Sequence, residues 1–154
     1  SVTRRKIRVC LICSVGGHLK QLLKFSDAWK GTDHFFVLFY KPMIESLQRK
    51  ERVYLVVSPE RNPFLFAINA VQSLWVFLRT RPDVIISTGA GVAIATCYLG
   101  RVFGKKIVYV EDWCQVNSPG LTGRLIYPIA DLFIIQRESL RKFYPKAVLG
   151  GELF

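Results

Sequence analysis

The chain has 154 residues and a formal charge of +11, from 22 Lys and Arg against 11 Asp and Glu; 51% of it is hydrophobic and 21% charged. That length sets one domain (1–154) as the natural unit, and that composition excludes a disordered chain. The charge calls for an anionic partner, and a positive mean hydropathy of +0.26 favours acidic lipid headgroups at a membrane surface over nucleic acid.

Strands and helices alternate along the chain. Lys6–Cys13 reads as a buried strand that ends in the loop Ser14–His18. Leu19–Trp29 has its apolar residues at helical spacing. His34–Tyr40 reads as a second strand, Pro42–Gln48 as a short helix and Arg52–Val57 as a third strand. After the turn-rich Ser58–Asn62, Pro63 suits the first turn of an apolar helix capped by Asn62. Asp83–Ser87 is a fourth strand, Ser87–Gly91 a small-residue loop, and Val92–Phe103 a helix stopped by Gly104. Lys106–Glu111 is a fifth strand, Asp112–Thr122 a long loop, Gly123–Ala130 a short helix and Leu132–Gln136 a sixth strand. Glu138–Phe143 reads as a helical turn and Ala147–Leu149 as a last short strand. This alternation predicts a Rossmann-like α/β domain, a parallel sheet with helices on both faces. Runs such as Val84-Ile85-Ile86 and Phe133-Ile134-Ile135 match strands buried on both sides.

Four cysteines occur, Cys10, Cys13, Cys97 and Cys114. Cys10 and Cys13 have the spacing of a metal or redox pair, but residues three apart on a strand point to opposite faces. No second pair and no clustered His completes a zinc site, so buried structural thiols are expected, with no metal. Reduced thiols point to the cytoplasm. Ser1–Lys6 lacks the apolar core and cleavage site of a signal peptide.

The longest apolar stretch is Phe64–Leu78, interrupted by Asn69, Gln72 and Ser73. It is shorter than the roughly 20 apolar residues of a spanning helix. The three polar residues form one narrow stripe on an otherwise apolar helix. Two readings stay open: a helix sandwiched between the sheet and another packed element, or a helix with one face on the sheet and the other in the membrane interface. On the second reading Phe64, Leu65, Leu74, Trp75 and Leu78 contact the membrane while Arg61 and Arg79 reach lipid phosphates. Arg81 also flanks the helix.

In a parallel α/β sheet, ligands sit at the carboxyl ends of the strands. Gly16 and Gly17, with Ser14, let backbone N–H groups approach an anion there; the alternative is a plain tight turn. Thr88, Gly89, Ala90 and Gly91 repeat that logic on a neighbouring strand, and the two loops together fit a diphosphate. His18 would serve as a general base or merely cap a helix. Glu111, ending the fifth strand, would accept a hydroxyl proton, hold sugar hydroxyls, or serve as a cap or ion pair. Asp112 and Trp113 follow it, the latter as a sugar-stacking or packing ring. His34 reads as structural.

Several segments carry a family resemblance: Val15–Leu19, Pro82–Ala90, Tyr98–Gly100, Val108–Glu111, Leu121–Pro128, Ala130–Ile134, Tyr144–Ala147 and Gly150–Phe154. In this order they resemble bacterial capsule and exopolysaccharide proteins of the PssD/CpsF type. Those are similar to the eukaryotic membrane-anchoring subunit of the split N-acetylglucosamine transferase of N-glycan assembly. Val15 stands where that family often has a small residue, and Asp112-Trp113 where an apolar or small residue is common.

The resemblance implies the N-terminal, acceptor-side half of a GT-B glycosyltransferase, with the UDP-sugar bound by a separate partner chain. The acceptor would be a polyprenyl diphosphate-linked saccharide at the cytoplasmic face of the cell membrane, and no cofactor or metal would be needed. On this reading His18 or Glu111 deprotonates the acceptor hydroxyl, and the two glycine loops hold the diphosphate. Eukaryotic members carry an N-terminal spanning helix; none is read in this sequence, so peripheral attachment is expected through Phe64–Leu78. Two rivals remain: a non-catalytic membrane scaffold that activates the partner, and a self-sufficient nucleotide-binding enzyme.

Overall fold

The computed structural model describes residues 7–13, 23, 29, 31–59, 62–89, 91–110, 121–135 and 138–149. Among these residues seven strands form one sheet: β1 (Arg8–Cys13), β2 (Asp33–Leu38), β3 (Val53–Leu55), β4 (Val84–Gly89), β5 (Lys106–Val110), β6 (Leu132–Ile135) and β7 (Val148–Leu149). Every pairing is parallel and the order is β3-β2-β1-β4-β5-β6-β7. The chain thus winds outward from β1 in one direction and from β4 in the other. The adjacent carboxyl ends of β1 and β4 are the switch point where such folds place ligands.

Helix α1 (Glu45–Lys50) continues a 3-10 turn at Pro42–Ile44. Helix α2 spans Pro63–Thr80. Helix α3 (Ile94–Val102) follows a 3-10 turn at Gly91–Ala93, and α4 (Leu121–Ile126) runs into another at Tyr127–Ile129. Cores lie on both faces of the sheet. One joins Cys10, Ile12, Ile85, Ile107 and Tyr109 to Val76 and Phe77 of α2 and Cys97 of α3. The other joins Leu11, Cys13, Phe36 and Leu38 to Trp29 and Ile44. Cys10 and Cys13 therefore lie on opposite faces, as strand alternation requires. Trp29 is buried against His34 and Phe36, and Leu23 is helical; most of the helix expected over Leu19–Trp29 falls outside the described residues.

Two aspartates align the strands at the end of the sheet opposite the switch point. Asp83 Oδ2 accepts from Arg8 N (3.0 Å), and Asp131 Oδ2 accepts from Ile107 N (2.8 Å). Each stands just before a strand and takes the N–H of its neighbour, which helps fix the register. These residues belong to the Pro82-Asp83 and Ala130-Asp131 segments of the family pattern, and their work is architectural.

Some boundaries differ from expectation. Strand β3 is only three residues long, and α1 extends to Lys50. The loop expected over Ser87–Gly91 begins later, because Ser87, Thr88 and Gly89 are strand. A bulge causes this: Ile12 pairs with Ser87 but Cys13 pairs with Gly89, so Thr88 is the extra residue and β4 outruns its Ser87 limit.

Candidate functional site at the strand ends and on the outer helix pair

The carboxyl-end rim is built from the ends of β1 and β4 and the turn into α3. Ser14, Gly16, Gly17, His18, Ala90 and Glu111 lie outside the described residues, as do Arg61, Asp112, Trp113 and Cys114. Of the expected diphosphate-binding set, Thr88, Gly89 and Gly91 are placed, next to one another at the end of β4. Thr88 is fully buried and hydrogen-bonded to the Cys13 thiol, so its hydroxyl supports the bulge from inside. Gly91 opens the turn into α3, where an added Cβ would stand 3.9 Å from Pro59 Cγ. The loops after β3 and β4 therefore approach each other on this rim.

Burial pushes Cys13 and Cys97 up to about 12, and Cys10 well above its ordinary value, with the neighbouring Cys97 adding to the rise at Cys10. These thiols are protonated and inert near neutrality. Among the described residues no group of His, Cys, Asp and Glu could hold a metal ion. His34 is structural: Nε2 lies 2.8 Å from Glu51 Oε2 and Nδ1 lies 3.0 Å from Thr32 O.

The outer helix α2 is built inside out. Its Asn62 cap accepts from Phe64 N (2.8 Å) and Leu65 N (3.3 Å), and Arg81 closes it in the left-handed region at φ 48°. The polar stripe faces inward: Asn69 and Ser73 are buried. Asn69 Nδ2 donates to Val57 O (2.8 Å), and Gln72 Oε1 accepts from Val57 N (2.7 Å). The two amides thus clamp the backbone one step beyond Val56, whose own N–H goes to Leu38 O of β2. Inward polarity is affordable only because each buried group has a partner.

The outward face is apolar. Phe64 is 82% exposed, Val71 69%, Trp75 58% and Leu78 53%, with Ile68 and Leu74 also exposed; Leu65 is half-buried. Arg79 is exposed and lies over the Trp75 ring at 5.6 Å. Among the described residues nothing packs on this face.

Helix α3 extends the face, which sequence reasoning missed. Val102 is 79% exposed, and Tyr98 and Phe103 are exposed as well. Between α2 and α3 lies a groove of about 450 Å³ lined by Phe66, Ala70, Leu74, Ile94, Tyr98 and Val102 among others. The apolar periodicity of Val92–Phe103 carried no sign of this, because a helix buried on one face and greasy on the other reads as core. Among the described residues no helix is long and apolar enough to cross a membrane.

Together, a parallel sheet wound outward in both directions and a rim at its switch point define a Rossmann-like unit equivalent to the N-terminal half of a GT-B glycosyltransferase. MurG of Acinetobacter baumannii superposes with a TM-score of 0.71 at 16% identity, over 86% of this chain and 42% of that one. UDP-N-acetylglucosamine 2-epimerase of Rickettsia bellii does so at 0.70 and 16%, over 97% and 44%. The chain thus spans less than half the length of these solved structures, and at such identity the likeness is one of fold. Residues 55–153 match the family described as "Oligosaccharide biosynthesis protein Alg14 like", and the chain belongs to that family. The mouse UDP-N-acetylglucosamine transferase subunit ALG14 is 26% identical over 97% of this chain and 84% of its own length.

Proposed function

We propose that this chain is the acceptor-binding, membrane-associated subunit of a two-chain inverting glycosyltransferase. The partner chain binds a UDP-sugar, and the sugar passes to a lipid-linked diphosphate saccharide. The observation that carries the reading is the pairing of one Rossmann-like unit with a broad apolar outer face on α2 and α3. A GT-B site lies between two such units, of which these residues form one, and the exposed face suits a lipid surface. Membership of the Alg14-like family supports the subunit role, and the mouse relative's name supports UDP-N-acetylglucosamine as donor. The capsule or exopolysaccharide setting and the cytoplasmic face of the cell membrane rest on the motif resemblance alone.

In the proposed mechanism Gly16 and Gly17, with Gly89 and Gly91, hold the acceptor diphosphate through backbone N–H groups. His18 or Glu111 takes the proton of the acceptor hydroxyl as it attacks the anomeric carbon and UDP departs in line. The scheme uses no metal.

The test is calorimetry with UDP-N-acetylglucosamine, on the chain alone and then with the partner subunit, followed by a transfer assay of the pair. The expected result is no binding alone, and binding with transfer for the pair. Tight binding by the solitary chain overturns the reading in favour of a self-sufficient nucleotide-binding protein. Transfer undiminished in both His18→Ala and Glu111→Ala assigns this chain the role of a non-catalytic scaffold.

A further inference from the structure

We propose that the groove between α2 and α3 is a binding slot for the hydrocarbon chain of an isoprenoid diphosphate, whose charged head lies at the rim beside Gly91. The inference rests on the acceptor-side reading above and names the part of the acceptor that this surface takes.

Position is the first argument. Both helices follow parallel strands, β3 and β4, so both start at the carboxyl-end rim and run away from it. Ile94, at the start of α3, lines the groove three residues after Gly91, and Val102, at the end of α3, lines its far part. One extended chain can therefore have its head at the rim and its tail along the helices.

Chemistry is the second. The lining is almost wholly apolar. Its one hydroxyl, on Tyr98, is committed: it donates to Leu125 O at 2.6 Å, which leaves the groove to the ring. An extended peptide segment laid here would bring backbone N–H and C=O groups to walls that offer no partner. A hydrocarbon chain brings none. The volume, about 450 Å³, lies in the range of small-molecule sites, and Ala70 and Ala95 create the room by being small.

Surroundings are the third. The groove opens onto the face that carries Val71 and Trp75, so a chain longer than the slot continues straight into a lipid phase. Exposed Arg79, Arg81 and Arg101, at the far ends of the two helices, suit anionic headgroups.

The experiment compares farnesyl diphosphate with inorganic pyrophosphate by calorimetry, in vesicle-free buffer, on the chain and two variants. Ala70→Phe fills the slot from a partly exposed position, and Val102→Asp puts a charge at its solvent-facing end. The chain should bind farnesyl diphosphate at least tenfold more tightly than pyrophosphate. Both variants should remove most of that preference and leave pyrophosphate affinity unchanged. A preference that survives both variants overturns the proposal, as does its absence from the unaltered chain. So does a dimer in solution that Ala70→Phe dissociates without any prenyl preference, which makes the groove a contact between copies. Failure of the two-chain reading is separately visible: a chain that passes this test yet supports no transfer with its partner keeps the slot and loses the enzyme.

Discussion

The two faces of α2 differ in how their side chains are satisfied. The face toward the sheet carries Asn69, Gln72 and Ser73 beside the core residues Val76 and Phe77, and the face toward solvent carries Phe64, Val71, Trp75 and Leu78. An ordinary surface helix turns its polar residues outward. Inward polar groups are tolerated here because they have specific backbone partners, whereas outward apolar groups have none among the described residues. The first face is thus read as architecture and the second as a surface awaiting an apolar medium.

The strongest test of this contrast is on the outer face. Trp75→Glu with Leu78→Glu should abolish co-sedimentation with phosphatidylglycerol vesicles. Each buried apolar side chain contributes about 1.5–3 kcal/mol, so the loss is at least about tenfold per residue. Thermal stability should hold to within about 0.5 kcal/mol, since neither side chain is in the core. A large drop in stability would show this face to be packed in the native protein.

The inner face should respond the other way. Asn69→Leu leaves the Val57 carbonyl without its amide donor and should cost about 1–3 kcal/mol, read as a shifted denaturant midpoint at unchanged slope. Vesicle binding by the folded fraction should persist. Helix α3 offers a similar pair. A Cβ at Gly100 would collide with Ile85 Cδ1 inside the core, so Gly100→Ala should destabilise by about 1–3 kcal/mol, whereas Val102→Ser on the exposed side should be near neutral.

The smallest effect near neutral pH comes from the thiols. Burial raises Cys13 and Cys97 from 9.0 to about 12, so the unfolded chain releases those protons first. Their contribution is intact below about pH 9 and declines as pH rises from 9 toward 12. Denaturant midpoints should therefore match at pH 7 and 8 and fall at pH 10.5. Alkylation of Cys10, Cys13 and Cys97 at pH 8 should require unfolding; rapid labelling of the native chain would contradict their burial.

The order of elements was legible because buried parallel strands such as Ile85-Ile86 and Phe133–Ile135 are continuous apolar runs bounded by turns. The Asn62 cap and the Gly104 stop, at φ 73°, were legible for the local reasons that caps always are. The direction in which the α2 stripe faces was not. Its partner, Val57, lies 12 and 15 residues away, and a single helix cannot report what its polar groups will meet. Nor was the strand character of Thr88-Gly89, which depends on Cys13 across a bulge. The apolar outer surface was anticipated at Phe64, Trp75 and Leu78; the share contributed by Val102 and Phe103 of α3 was not, because it exists only once the two helices lie side by side.

The clamp on Val57 has one more consequence. A parallel sheet ends in two edges, and each is a template on which another chain can add a strand. Among the described residues both edge strands are short, three residues in β3 and two in β7. At β3 the backbone groups that would next receive an incoming strand are already held by Asn69 and Gln72. A chain this hydrophobic on its exterior is thereby guarded against polymerising through its sheet, and the adhesiveness of its surface is confined to the helices.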